Sequence, residues 1–258
     1  MPIALITGAS GGLGEEFAKL CAKDGMNVVL IARDEEKLKA LAKTLETSHK
    51  IKATVIPKDL SSPHAVEEIA QQLKKDPIEI DVLINNAGFG AYGLFHETDF
   101  IQEKQMLQVN IMALTELTKL LLPSMVARKR GKIMNVASTA AFQPGPLMAV
   151  YYASKAYVLS LSQALSSELS GTDVTVTCLC PGPTQTGFQK NAHMLQSRLF
   201  SLGSMRADVV ALQGYRGMNA GKRLVTPGIK NKIGTFATRL VSRKFAAAVA
   251  WRLQKEQK

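Results

Sequence analysis

Short apolar runs that alternate with longer amphipathic stretches constrain this chain more than any other feature. Ile3–Ile6, Asn27–Ile31, Ala53–Ile56, Val82–Ile84, Ile133–Ala137, Val174–Leu179 and Arg223–Val225 are brief, apolar and rich in β-branched residues, as buried strands are. Between them lie helical patterns. Leu13, Phe17, Leu20 and Cys21 recur at spacings of three and four, and Leu38, Leu41 and Leu45 form one stripe of Arg33–Glu46. Ser61-Ser62-Pro63 is a helix start before Ala65–Leu73. Longer helices are predicted at about 103–126 and 151–169, and another at Ala207–Met218. Strands this short, each followed by a helix, imply an α/β fold. The expected architecture is a doubly wound parallel sheet, Rossmann-like, of about seven strands with helices on both faces. Ligands of such sheets bind beyond the carboxyl ends of the strands. The pattern does not give the strand order.

Composition narrows the alternatives. Hydrophobic residues make up 46% of 258, enough for a large core and too many for a disordered chain. Three scattered cysteines exclude a disulfide framework and fit a reducing, cytoplasmic setting. No apolar run approaches the roughly 18 residues of a membrane span, and the N-terminus has no signal-peptide pattern. None of the four histidines has a metal-like neighbour, so no metal site is expected. The net charge of +11 is concentrated. Residues 216–258 hold eleven Lys and Arg against Glu256 alone, so the preceding chain is nearly neutral. A nucleic-acid recognition motif is absent, and nucleic acid is not an expected partner.

Gly8, Gly12 and Gly14 stand at the first strand-to-helix turn as T-G-x-x-x-G-x-G. Glycines let a backbone approach a ligand closely, and the following helix start presents N–H groups to a diphosphate. Tyr151 and Lys155 are four apart on a predicted helix and share a face. An ammonium about 4 Å from a phenol, at an effective dielectric near 20, could lower the phenol pKa by up to about three units. A chance i, i+4 pair is the competing reading, and Ser138, at the carboxyl end of a strand, argues against it.

With these motifs in order, the chain resembles the short-chain dehydrogenase/reductases from about residue 2 to about residue 226. The resemblance rests on Thr7 to Gly14, Asp59-Leu60, Asn85 to Gly88, Asn110, Ser138, Tyr151-Tyr152-Ala153-Ser154-Lys155, and Pro181-Gly182 with Thr186. It implies an oxidoreductase moving hydride between a nicotinamide and a carbonyl/alcohol pair. Tyr151 would be the general acid/base, Ser138 would polarise the substrate oxygen, and Lys155 would also hold the nicotinamide ribose. Asn110 would hold a water in the proton relay, with a structural Asn as the alternative. Cofactor contacts would come from Gly8, Ser10, Gly12, Leu13, Gly14, Asp59, Leu60, Asn86, Ala87, Gly88, Pro181, Gly182 and Thr186, besides Tyr151 and Lys155.

Ala32 and Arg33 end the second strand, where an acidic group would pair with the ribose hydroxyls of NAD(H). A guanidinium suits a 2′-phosphate, so Arg33 favours NADP(H). NAD(H) requires Asp34 to take that place, whereas Asp34 also reads as a helix N-cap. Residues 187–204 fall where the family places its variable substrate lid. Phe188, Met194, Leu195, Leu199, Phe200 and Leu202 there, with Phe89, Tyr92, Phe95, Phe142 and Met148, imply a small hydrophobic substrate. The family pairs its two long helices into homodimers or homotetramers.

The catalytic domain is expected over 1–226, with a basic amphipathic extension over 227–258. In that extension Phe236, Leu240, Val241, Phe245, Val249 and Leu253 recur near helical spacing. Such a helix can lie on an anionic membrane or pack on the domain, and both readings stand on the sequence. A non-catalytic nucleotide-fold protein at a membrane surface is the competing function, disfavoured because such a scaffold has no need of all four of Asn110, Ser138, Tyr151 and Lys155.

Overall fold

Side chains alternate across a strand, and a sheet buried on both faces needs apolar residues at every position. The computed structural model, which describes residues 1–75, 78–188 and 203–255, shows this arrangement. Strands β1 (Ile3–Thr7), β2 (Asn27–Ala32), β3 (Ala53–Pro57), β4 (Val82–Asn85), β5 (Gly131–Val136) and β6 (Val174–Leu179) all pair in parallel. Two short strands, β7 (Thr184–Gln185) and β8 (Met205–Arg206), form a separate parallel pair. The last strand, β9 (Leu224–Val225), completes a seven-stranded sheet of order 3-2-1-4-5-6-9.

Helices α1 (Gly12–Lys23), α2 (Glu35–His49) and α7 (Ala207–Asn219) cover one face. There Ile6, Leu30, Ile84 and Met134 pack with Phe17, Leu38 and Met218. Helices α3 (Ala65–Lys75) and α5 (Leu114–Ala127) cover the other, where Leu5, Ile31, Leu83 and Ile133 meet Ile69, Leu117 and Met125. Helix α6 (Ala149–Glu168) adds Leu165 to that face. The strand order switches sides between β1 and β4, and the carboxyl ends of strands at such a switch are where open α/β sheets bind ligands.

Three expectations need correction. The helix expected at about 103–126 begins earlier, at α4 (Phe100–Leu107), where Asp99 accepts from the Ile101 amide at 2.9 Å. It then passes through a π-helical turn, Gln108–Ala113, before α5. Taken whole, Phe100–Ala127 is long and apolar enough by length and composition to cross a membrane, contrary to the sequence reading. Its Met106, Val109, Ala113, Leu117 and Met125 are buried against the protein. The C-terminal stretch is also two helices rather than one: α8 (Ile229–Ala237) and α9 (Arg243–Gln254). Ser242 divides them, its hydroxyl accepting from the Phe245 amide at 3.2 Å as an N-cap.

Candidate active site

Four connections leave the carboxyl ends of β1, β4, β5 and β6, and every residue expected to do chemistry lies on or just behind them. After β1, Gly8 takes φ +67 and Gly12 φ +55, a region open to glycine and strained for other residues. A Cβ on Gly14 would strike the Gly8 carbonyl oxygen, so this turn folds back on itself more closely than any side chain allows. Asn86, just past β4, braces it. Its side-chain amide donates to the carbonyls of Thr7 at 2.9 Å and Gly8 at 3.3 Å, and its own N–H reaches the Thr7 hydroxyl at 3.0 Å. Ala87 donates to that hydroxyl too. This bracing role was not legible in the sequence, where Asn86 stands only as a cofactor contact.

Helix α1 begins at Gly12 behind Gly11, which gives no side-chain cap, and nothing lies within 4 Å of where a Gly11 Cβ would stand. The first-turn N–H groups are therefore open to an anion, and the glycines leave it a close approach. Leu13 packs into the core below, and the Thr186 methyl comes within 3.1 Å of a Cβ position on Gly12. Thr186 thereby joins the β6 connection to the glycine turn. Ser10 lies on the same turn, part-exposed.

At the end of β2, Ala32 is buried and Arg33 is exposed, with no ion pair among the described residues. Asp34 is the N-cap of α2, accepting from the Lys37 amide at 3.1 Å and the Lys37 ammonium at 2.8 Å. These bonds draw its carboxyl below the usual range. Asp34 is thus occupied as a cap, while Arg33 stays exposed. Asp59 and Leu60 follow β3. The Asp59 carboxylate accepts from the Ser61 amide and hydroxyl at 2.9 and 2.8 Å, while Leu60 is buried.

Tyr151 lies in the first turn of α6, 8% exposed, beside Lys155, 5% exposed. Ser138, after β5, accepts from the Ala140 amide at 3.1 Å, donates to the Pro181 carbonyl at 3.4 Å, and lies near enough to the Tyr151 phenol to act on its pKa. The Pro181-Gly182 turn thus abuts Ser138. The Lys155 ammonium donates to the Val136 carbonyl at 3.0 Å and stands 5.8 Å from the Tyr151 ring centre. A Cβ on Gly88 would lie 3.0 Å from the Asn110 amide oxygen and 3.1 Å from the Lys155 nitrogen, which brings these three together.

The electrostatics differ from the sequence expectation. Burial pushes the Tyr151 phenol up, opposed by the Ser138 hydroxyl beside it, and Lys155 does not lower it. Lys155 itself is pushed down to about 8, because burial penalises its charge and no carboxylate compensates. Desolvation of the buried phenol is the largest influence on it, and a charge acting through an effective dielectric does not include that cost.

Asn110 occupies the π turn. Its side chain closes a two-way bond with the Phe89 backbone, accepting from N–H at 3.1 Å and donating to C=O at 3.0 Å. It also donates to the Ser154 hydroxyl at 3.0 Å, which donates to the Tyr151 carbonyl at 2.7 Å. Sequence reading did not single out Ser154, although it stands inside the Tyr-Tyr-Ala-Ser-Lys motif.

On the substrate side, Phe188 lies 5.3 Å from the Tyr151 ring, and Tyr92, Phe89 and Met148 join the same cluster. Phe95 does not. It is 67% exposed, because Leu94 to Thr98 turn outward. Phe142 packs in a separate cluster with Leu114 and Val158. Met194, Leu195, Leu199, Phe200 and Leu202 lie outside the described residues, and no metal-ligating cluster occurs among the described ones.

The short chain dehydrogenase family matches residues 2–196. The chain is 34% identical over 204 residues to the ketoacyl reductase HetN of Nostoc sp., covering 79% of this chain and 71% of that protein. It is 37% identical over 181 residues to a very-long-chain 3-oxoacyl-CoA reductase of Phaeosphaeria nodorum, covering 68% of this chain and 53% of that one. The fold superposes with a TM-score of 0.84 on a short-chain dehydrogenase from Sphingobium yanoikuyae in complex with NADPH, at 30% identity over 93% of this chain and 94% of that one. The family match over most of the residues, together with a relative 34% identical of which the chain covers more than two thirds, shows that the chain belongs to the short chain dehydrogenase family of oxidoreductases.

Proposed function

We propose that the protein is an NADP(H)-dependent oxidoreductase acting on a hydrophobic carbonyl/alcohol pair, with Tyr151 as the proton-transferring group. The observation that carries this reading is the convergence of Ser138, Tyr151 and Lys155 beside an apolar cluster of Tyr92, Met148 and Phe188. The bound nicotinamide supplies or accepts the hydride. The chain's residues do the rest. The Ser138 hydroxyl lies beside the Tyr151 phenol and, by turning from its long contact with the Pro181 carbonyl, donates to an oxygen gaining negative charge. Burial keeps the phenol protonated at neutral pH, so it acts as a donor. Lys155 and Asn110, adjacent at Gly88, form the inner end of the proton path, Lys155 also reaching the ribose.

The glycine turn and the open start of α1 hold the diphosphate, bordered by Ser10, Asp59, Leu60, Ala87 and Thr186. Arg33 meets the 2′-phosphate, and the commitment of Asp34 to capping α2 supports that choice over NAD(H). Met112, Leu120 and Tyr157 are exposed on the π turn, α5 and α6, with the Thr115 and Tyr157 hydroxyls 3.0 Å apart, and support a homo-oligomer built on these helices. Three free, buried cysteines support a cytoplasmic setting. Residues 227–258 act as an extension of the 1–226 catalytic unit.

The test follows nicotinamide absorbance with NADPH or NADH and a panel of hydrophobic ketones and aldehydes. NADPH is expected to be favoured by at least about tenfold, and Arg33→Ala to erase most of that preference, in line with loss of one charge-assisted phosphate contact of about 1.5–3 kcal/mol. Equal use of both cofactors by the unaltered protein would overturn the assignment of Arg33. No turnover with any carbonyl would overturn the reductase reading.

A further inference from the structure

Helices α8 and α9 turn the wrong residues outward for a packed pair of helices. On α9 the inward face is Ala246, Ala250 and Gln254, at 5%, 1% and 0% exposure, while Phe245 and Val249 point out. On α8, Ile229, Ile233 and Phe236, spaced by four and three, are 75%, 66% and 59% exposed. Leu240, in the turn between the helices, is 74% exposed. Small residues are buried and large apolar ones are left in water, an arrangement that marks a binding surface.

The charge around this face has one sign. From Val209 to Lys255 the chain contains no Asp or Glu. Lys230, Lys232, Arg239, Arg243, Lys244 and Arg252 border the apolar residues, and among the described residues none forms an ion pair. We infer that the α8–α9 face docks on an anionic lipid bilayer, with Ile233, Phe236, Leu240 and Phe245 entering the acyl boundary and the surrounding cations meeting lipid phosphates. Two alternatives fit the surface less well. A second copy would bring the same cations against each other, and a nucleic acid would leave the long apolar side chains in water. A bilayer satisfies both features at once.

The helices that carry this face also contact the site from their inward side. The Gln254 carbonyl, at the end of α9, accepts from the Tyr92 hydroxyl at 2.8 Å, and its buried side chain lies near the Tyr152 phenol without a geometric hydrogen bond to it. Asn231 of α8 packs on Gly182, in the turn that Ser138 contacts. Resting on the reading of a hydrophobic carbonyl substrate, docking therefore sets the Tyr92–Met148–Phe188 cluster close to the bilayer, so that a lipid-dissolved substrate reaches it without crossing water.

Flotation of the full chain with phosphatidylcholine vesicles, with and without phosphatidylserine, across a salt series, tests the docking step without any turnover. Binding is expected only to the anionic vesicles and to weaken as salt rises. Leu240→Glu with Phe236→Glu, both at exposed positions, is expected to abolish flotation while reduction of a water-soluble ketone continues. Replacing Lys230, Lys232 and Arg239 by Gln should weaken binding about a hundredfold. Absent or salt-insensitive binding by the unaltered chain, or unchanged flotation of the Glu variant, would overturn the docking inference. So would a concentration-dependent dimer that Leu240→Glu dissociates in the absence of vesicle binding. For the unaltered chain, ketone reduction without flotation retires the membrane alone, and flotation without turnover retires the reductase reading alone.

Discussion

Tyr151→Phe is expected to lower kcat for carbonyl reduction by about a thousandfold, within the range of a deleted general acid, while the affinity for NADPH stays within about twofold. The substitution removes only the phenol oxygen beside Ser138, and the ring keeps its packing against Phe188 and Tyr152. Steady-state kinetics and a cofactor-binding titration on the same preparation separate the two effects. Equal kcat values would remove Tyr151 as the proton donor. The pH profile carries an independent sign. Lys155 is charged below its lowered value of about 8 and neutral above it. The proton-replete form of the relay therefore prevails at lower pH. Carbonyl reduction should decline as pH rises through about 8, and alcohol oxidation should gain over the same interval. A reduction rate that rises through this window would place the controlling proton elsewhere.

The second large effect belongs to the glycine turn. Gly14→Val puts a Cβ onto the Gly8 carbonyl oxygen, which is backbone and is itself held by the Asn86 amide. Neither partner can yield cheaply, so α1 must move away from β1. Overpacking of this kind costs about 1–3 kcal/mol, and the displaced helix start should weaken NADPH binding at least about a hundredfold. Gly11→Ala is the informative control. Its φ of 169 is extended backbone, and no protein atom lies within 4 Å of the new methyl group. Thermal unfolding should be unchanged, and any loss of cofactor affinity then reports the ligand's own approach to that position. Unaltered NADPH affinity in Gly14→Val would show that the diphosphate binds elsewhere.

Much of the scaffold was legible because its signals are local. Each strand of the main sheet is a brief apolar run, and helices such as α2 carry one apolar stripe, so neither depends on distant partners to be recognised. The glycine turn and the Tyr151–Lys155 spacing are local as well. What escaped is set by long-range contact. Strand order depends on which apolar runs meet. The π turn at Gln108–Ala113 has no composition of its own. Asn86 looks like one more polar residue until Thr7 and Gly8 fold against it. The titration of Tyr151 and Lys155 depends on burial, which a spacing rule does not contain. The division of the C-terminal stretch was visible only in Ser242, a cap residue inside an otherwise continuous periodic pattern. Phe95 and Phe142 show the converse, aromatic residues near the motifs in sequence that fold away from the cluster.

The π turn has a further consequence. An ordinary helix advances about 100° per residue, and a π turn spends one extra residue in a single circuit. The stretches before and after Gln108–Ala113 are therefore out of phase, so that Met106 addresses the Tyr151 cluster while Leu117 addresses the sheet. Excising any one residue of that segment would straighten the rod and rotate one half against everything it touches, carrying Asn110 off the Phe89 backbone. The tolerance of this position to substitution and its tolerance to a change of length are thus separate quantities, and the second should be far the smaller.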